Sequence, residues 1–377
     1  MGDGLERRFL LVAGEPSGDL HGARLVAALR DLGRCRVRGI AGPALRAAGV
    51  ECLARAEDLA VLGFAEIPAR LPRLLATRRR LLAELEHFRP HVVVLVDYPG
   101  FNLRIGPELK RRGARIFYYI APQVWAWHPE RAAAMARWVD RLAVVFPFEE
   151  ELFRQAGVAV TYVGHPLLDD FAPETDETAF RAEIGAGAGR ILGLLPGSRP
   201  QEVRRHLPIL LRAARRLEAG RVDLVTVVPL APGLADERPR PACAPTRLRI
   251  VRGRTRATQA FATACAVASG TATLETALFA TPHAIVYRTG ALNYAIARRL
   301  VRLERIGLPN IVAGEPVAPE LLQARFTPEH LAATLAPWLD DPVARAAAHA
   351  RLATVRERLG GPGASRRAAE LLWALAT

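Results

Sequence analysis

The sequence predicts two doubly wound α/β domains joined by a short linker. Three observations predict it. Short apolar runs alternate with helix-period stretches along most of the 377 residues, the pattern of parallel sheets covered by helices. The runs are continuous rather than alternating in polarity, as in strands buried on both faces. The pattern breaks once, near residues 171–190, and then starts afresh. A chain of this length exceeds one small core and suits two domains.

Residues 9–13, 91–96, 115–119, 141–145 and 160–163 read as strands of a first domain, 1–170. Between the first two lies a helical segment, 19–32, with Leu25, Ala28, Leu29 and Leu32 on one face. Phe171-Ala172-Pro173-Glu174-Thr175-Asp176 is polar with a proline, and Gly185-Ala186-Gly187-Ala188-Gly189 is small and flexible, so 171–190 reads as the linker. A second series spans 191–341, with strands at 191–195, 222–228, 248–251, 266–269 and 283–286. Its helices fall at 200–218, 271–279 and 292–303. The Ala/Arg-rich stretch 342–377 reads as C-terminal helices, broken at Gly360-Gly361-Pro362-Gly363, that pack back on the first domain or on a partner subunit. Ligands of such sheets sit beyond the carboxyl ends of the strands.

No apolar stretch reaches the length of a membrane span, and the run 9–13 is too short for a signal-peptide core, so the cytoplasm is the expected location. The four cysteines (Cys35, Cys52, Cys243, Cys265) form no C-x-x-C pair and read as reduced thiols. The net charge of +14, from 52 basic and 38 acidic residues, calls for an anionic partner. Lys110 is the only lysine. The arginines are scattered and little interleaved with aromatics, which argues against nucleic acid.

Five segments could carry chemistry. Ser269-Gly270-Thr271-Ala272-Thr273-Leu274-Glu275 reads as a strand end, a tight turn and a helix start. Such a helix N-terminus offers free N–H groups and positive charge to a phosphate. Glu275 lies one turn further in, where it can accept ribose hydroxyls. It is not the acid of a capping box, because the third residue after Thr271 is Leu274. Leu195-Pro196-Gly197-Ser198-Arg199 follows the first strand of the second domain, and backbone N–H groups with an arginine fork suit a diphosphate. Gly14-Glu15-Pro16-Ser17-Gly18-Asp19 follows the first strand of all. Its two acids suit sugar hydroxyls rather than phosphate; the alternative is an ordinary turn capped by Ser17. Asp97 ends the buried run 92–96 and reads as a general base, or else as a helix cap. Tyr118-Tyr119-Ile120-Ala121-Pro122-Gln123-Val124-Trp125-Ala126-Trp127-His128 follows another strand, and its tryptophans either stack on a sugar or base or fill the core. A further stretch, 70–88, pairs a leucine face (Leu71, Leu74, Leu75, Leu82, Leu85, Phe88) with Arg70, Arg73, Arg78, Arg79 and Arg80. It reads as a helix lying on an anionic membrane or covering a sheet. Residues 297–302 are a smaller case.

Taken together, these motifs resemble the lipid-A-disaccharide synthase family, whose members are GT-B glycosyltransferases with two Rossmann-like domains facing a cleft. The likeness runs from Gly14-Glu15-Pro16-Ser17-Gly18-Asp19 through Trp125-Ala126-Trp127, Val163-Gly164-His165-Pro166, Leu195-Pro196-Gly197-Ser198-Arg199 and Ser269-Gly270-Thr271 to Leu308-Pro309-Asn310 and Pro319-Glu320-Leu321-Leu322-Gln323. His128 departs from the basic residue that members often carry there. The resemblance implies transfer, with inversion, of 2,3-diacylglucosamine from its UDP derivative to 2,3-diacylglucosamine 1-phosphate (lipid X), without cofactor or metal. Asp97 would act as base, with Glu15 and Asp19 positioning the sugars. Gly197, Ser198, Arg199, Ser269, Gly270, Thr271, Glu275, Asn310 and Gln323 would hold the UDP-sugar. Gly14, Ser17, Trp125, Trp127, Arg78, Arg79 and Arg80 would face acceptor or membrane. The resemblance also implies a homodimer and peripheral attachment to the inner membrane. Rival readings are a sugar-nucleotide epimerase, a peptidoglycan N-acetylglucosaminyltransferase, or a non-catalytic protein of anionic membranes.

Overall fold

Seven parallel strands form the first sheet: β1 (Arg7–Ala13), β2 (Cys35–Ala41), β3 (Glu51–Arg55), β4 (Val92–Val96), β5 (Ile116–Tyr119), β6 (Arg141–Val144) and β7 (Val160–Tyr162). Their spatial order is β3-β2-β1-β4-β5-β6-β7. The computed structural model describes residues 6–59, 67–124, 130–230, 245–290 and 305–377. Six parallel strands form the second sheet: β8 (Ile191–Leu195), β9 (Val225–Leu230), β10 (Leu248–Arg252), β11 (Ala264–Ala268), β12 (His283–Tyr287) and β13 (Glu320–Leu322). Their order is β10-β9-β8-β11-β12-β13. In each sheet the chain winds one way from the central strand and then returns to wind the other way. The reversal falls between β1 and β4 in the first sheet and between β8 and β11 in the second. Loops leaving adjacent strands there part to opposite faces and leave a crevice at the carboxyl edge.

The strands owe their burial to composition. Val92-Val93-Val94-Leu95-Val96 is buried throughout, because β-branched residues suit a pleated surface covered on both faces. Each such side chain contributes about 1.5–3 kcal/mol over an exposed one.

The helices of the first unit are α1 (Pro16–Leu32), α2 (Pro43–Ala47), α3 (Ala56–Leu59), α4 (Ile67–His87), α5 (Pro99–Arg111), α6 (Glu130–Met135) and α7 (Pro147–Gln155). In α4, Leu81 and Leu82 join the core under the sheet, and Phe88 just beyond the helix is also buried. Phe88 carries the Arg38 guanidinium 4.9 Å over its ring. The leucine face predicted for a membrane is thus largely a core face, with Leu75 the exposed exception; nothing is described of the Arg70 and Leu71 side chains.

Two compact units result, one of residues 1–170 with 361–377 and one of residues 171–360. Two expectations are corrected. Residues 171–190 are folded, with Asp176 capping α8 (Glu177–Ile184) through Ala179 N–H at 2.8 Å. Phe180 and Ile184 of α8 enter the core of the second unit. The C-terminal stretch does not act as one body: α14 (Pro342–Leu359) belongs to the second unit and α15 (Ala364–Leu375) to the first. Between α8 and α14 the second unit carries α9 (Pro200–Glu218), α10 (Thr255–Phe261), α11 (Thr271–Leu278), α12 (Leu308–Ala313) and α13 (Pro328–Asp340). The helix predicted at 292–303, and residues 297–302 within it, lie outside the described residues.

Helix α15 packs on α1. Trp373 lies 6.3 Å from the Phe9 ring and 4.1 Å from the Arg7 guanidinium. Asp169 seats the N-terminus of α15: its Oδ1 accepts from Gly363 and Ala364 N–H at 2.7 and 2.8 Å, and its Oδ2 from Ser365 N–H at 2.8 Å. An anion at a helix N-terminus satisfies donors that the helix leaves open. Although burial opposes ionisation, these hydrogen bonds hold the Asp169 carboxyl below its ordinary range. Because the folded state favours the ionised form, this stability is present above the ordinary carboxylate pKa, about 3.9, and is lost as pH falls through the lowered value. Replacing Asp169 by Ala is expected to cost about 1–3 kcal/mol at neutral pH. Hydrogen exchange of residues 364–375 should speed up accordingly; unchanged exchange there would remove this role.

Candidate active site

In the first unit, the loops after β1 and β4 meet at the switch point. Asp97 ends β4, and its backbone is held in the left-handed region with φ 47°, as is Tyr98. Two side chains fix that turn. Asn102 Nδ2, one turn into α5, donates to the Asp97 carbonyl at 2.7 Å, and Tyr118 OH from β5 donates to the same oxygen at 2.7 Å. Non-glycine residues in this region carry strain of about 1–3 kcal/mol each, and strain of this kind clusters at functional sites. Asp97 does not cap α5, whose N-cap position is Tyr98.

The β1 loop is shaped to fit. A Cβ on Gly14 would lie 2.2 Å from the Tyr98 ring, and one on Gly18 would lie 3.8 Å from the Asp97 Cβ. At Gly14 only bare backbone lets the loop lie this close to Tyr98, whereas a Cβ on Gly18 would meet Asp97 at ordinary contact distance. Glu15, Pro16 and Ser17 are exposed at the rim. The Asp97 carboxyl is pushed up to about 7, first by burial and then by the negative charge of Glu15. A carboxylic acid poised there exchanges a proton near neutral pH.

Asp19 has a different task from the one expected. Its carboxylate is buried and accepts from Gly42 N–H (2.8 Å), Leu45 N–H (3.1 Å) and Ala44 N–H (2.8 Å), so it caps α2. Ser17 lies inside the first turn of α1 and gives no cap; the N-cap position is Glu15. Trp125, Trp127 and His128 lie outside the described residues. His165 is buried and held neutral, its pKa lowered to about 3 by burial and by neighbouring His21. Arg79 and Arg80 are exposed, whereas Arg78 is paired with Glu108 of α5.

In the second unit, the loops after β8 and β11 meet at the corresponding crossing. Gly197 has φ 114°, and a Cβ there would lie 2.4 Å from Glu202 Oε2. Ser198 and Arg199 are exposed. Among the described residues, the Arg199 side chain, 68% exposed, makes a loose ion pair at 3.7 Å with Glu202, a geometry from which its fork can turn to an anion. After β11, Ser269 N–H donates to Val286 carbonyl at 3.0 Å. Helix α11 then opens at Thr271 behind Gly270, which supplies no side-chain cap. Glu275 lies one turn in, mostly covered, 3.9 Å from Arg256 of α10. Burial raises its pKa against the opposing charge of Arg256.

Two further expectations change. Asn310 is 1% exposed and its amide is engaged: Nδ2 donates to Ala318 carbonyl and Glu320 Oε1, both at 2.8 Å, and Oδ1 accepts from Ala318 N–H at 2.8 Å. It staples the loop before β13 rather than facing a ligand. Gln323, with φ 51°, pairs its amide with both backbone groups of Thr289 at 3.3 Å. It shapes the loop after β12. Sequence reasoning missed Arg256 and Gln259, which flank Glu275 from α10. Gln259 Nε2 donates to Ala272 carbonyl at 3.0 Å and Thr276 Oγ1 at 3.1 Å, and its buried Oε1 has no hydrogen-bond partner among the described residues. Neither residue stands in a glycine-rich turn, so no local signal marked them.

The family model described as lipid-A-disaccharide synthetase matches residues 9–372. The lipid-A-disaccharide synthase of Syntrophus aciditrophicus (strain SB) is 45% identical over 371 residues, covering 96% of this chain and 95% of the relative. That of Anaeromyxobacter dehalogenans (strain 2CP-C) is 43% identical, covering 97% of each. Solved structures of similar fold include a UDP-GlcNAc 2-epimerase from Neisseria meningitidis bound to UDP-GlcNAc, with TM-score 0.65, 11% identity, and coverage of 97% of this chain and 100% of that one. Another is Acinetobacter baumannii MurG, with TM-score 0.60, 15% identity, and coverage of 98% and 100%. At such identities they speak for the GT-B fold alone and not for the rival activities. By its full-length match and its close relatives, the chain belongs to the lipid-A-disaccharide synthase family.

Proposed function

We propose that this chain joins two acylated glucosamines, taking 2,3-diacylglucosamine from its UDP derivative and transferring it to the 6-hydroxyl of 2,3-diacylglucosamine 1-phosphate. The products are the β-1,6 disaccharide 1-phosphate and UDP. One observation carries the reading: within a chain of this family, a strand-end aspartate stands at the switch point on a left-handed turn held by Asn102 and Tyr118, where burial pushes its carboxyl up. Asp97 takes the proton of the acceptor hydroxyl as its oxygen bonds to the anomeric carbon. The bond from that carbon to the diphosphate oxygen breaks, and its electron pair leaves with UDP. Attack from the opposite face inverts the α-linked centre.

Arg199 and the N–H groups of Gly197, Ser198 and Thr271 meet the charge growing on the leaving diphosphate. Glu275 accepts the ribose hydroxyls once they displace Arg256. Glu15 contributes to the tuning of Asp97 and stays within reach of sugar hydroxyls. Asp19 and Asn310, engaged as described, support these loops from behind.

Wild-type protein incubated with both substrates should yield the disaccharide and UDP, and unacylated acceptor should not replace lipid X. Asp97→Ala should lower turnover by at least about 10²-fold, the scale of general-base catalysis, while UDP affinity stays within about twofold. Substantial residual activity would transfer the role to another group, with Glu15 first.

Acylated substrates reside at a bilayer surface, and no described helix is long and apolar enough to cross one. We assign the docking face to α4, where Arg73, Leu75, Arg79 and Arg80 are exposed. Reversing Arg73, Arg79 and Arg80 to Glu should reduce binding to anionic vesicles at least tenfold, since each basic residue near such a surface is worth about 1 kcal/mol. Unchanged binding would remove this face from consideration.

A further inference from the structure

His206 is the one histidine of α9, and it is fully buried. Both ring nitrogens meet backbone groups of loops rather than of their own helix. Nδ1 lies 2.8 Å from the Pro196 carbonyl, in the turn after β8. Nε2 lies 3.0 Å from Arg288 N–H and 3.1 Å from the Arg288 carbonyl, in the loop after β12. A neutral ring satisfies the two loops together: Nδ1–H donates to Pro196, and the Nε2 lone pair accepts from Arg288 N–H. The ring is lodged between Tyr287, 5.4 Å away, and Phe326, 5.7 Å away and edge-on. Beyond Arg288, the Thr289 backbone is held by Gln323 at 3.3 Å, and Thr289 Oγ1 lies 3.5 Å from Arg205 Nη1.

We infer that His206 is a positioning residue for the donor diphosphate: it fixes the Pro196–Gly197 peptide and ties that turn to the loop after β12. In a trans peptide the C=O and the following N–H point in opposite directions. Anchoring the Pro196 carbonyl on the imidazole therefore turns the Gly197 N–H away from α9, toward the open side of the turn. The same anchor spares a buried carbonyl from standing without a donor, which is costly. The tie to Arg288 makes the turns after β8 and β12, and through Gln323 the one after β13, a single preorganised rim. This inference rests on the reading that the Gly197–Ser198–Arg199 turn takes the diphosphate of UDP.

The test is calorimetric titration of UDP, without acceptor, into wild type, His206→Leu, His206→Asn and His206→Gln, with a melting curve for each. An Asn amide reaches the Nδ1 position and restores the donor to Pro196; a Gln amide reaches the Nε2 position and does not. His206→Leu and His206→Gln should bind UDP about tenfold more weakly, the scale of one lost buried hydrogen bond. His206→Asn should stay within about threefold of wild type, whatever the order of the melting temperatures. In turnover, the loss should appear in KM for the UDP-sugar more than in kcat. Equal UDP affinity across the series, or Asn no better than Gln, would overturn the inference while leaving the donor-site reading intact. A wild-type chain that binds no UDP would overturn that reading, and this inference with it. If His206→Leu does not fold, the Asn and Gln pair still decides.

Discussion

A carboxyl partly withdrawn from water just past the end of β4 is the constraint on which the rest of the first unit turns. Raising an aspartate from its ordinary value to about 7 corresponds to roughly 4 kcal/mol of opposed ionisation, at about 1.4 kcal/mol per pKa unit. Because the folded state holds this proton more tightly than the unfolded chain, the group costs stability as pH rises from about 4 through 7, the reverse of a hydrogen-bonded helix-capping acid such as Asp169. The fold bears that cost at one point, together with the left-handed backbone at Asp97 and Tyr98. Asn102 and Tyr118 spend their hydrogen bonds on keeping it there. A residue needed only for packing would call for none of this.

On the proposed reading, the second unit solves a different problem, seating negative charge rather than withdrawing it from solvent. Its turn after β8 and the start of α11 lie side by side because β8 and β11 are neighbours in the sheet. Both carry glycine in the left-handed region, Gly197 with φ 114° and Gly270 with φ 148°. Arginine enters in two ways: Arg199 stands exposed with a weak partner, while Arg256 is drawn toward Glu275. Most of the other described arginines lie in ion pairs or on backbone carbonyls, among them Arg190 and Arg221 around Asp340.

Much of this was legible in the residues. Continuous β-branched runs disclosed the strands, and the small-residue turns after them disclosed where two crossings would lie. The roles of Asp19 and Asn310 were not legible, because a buried carboxylate that caps a helix and one that meets a sugar share the same local sequence. Their partners, Gly42 and Ala318, are fixed only by the fold. The split of 342–377 was equally hidden: Gly360 and Gly361 announce a break, but Asp169, some two hundred residues earlier, decides where α15 lands. The arginine-rich stretch of α4 misled in part, since the same spacing serves a helix on a membrane and a helix on a sheet.

The most direct test is the pH dependence of kcat/KM between pH 5 and 9 for wild type and Glu15→Gln. A base of pKa near 7 predicts a rate that falls about tenfold per pH unit on the acid side of neutrality, with the midpoint moved to lower pH once the Glu15 charge is gone. A wild-type profile flat down to pH 5 would contradict the assignment of Asp97 as a tuned base.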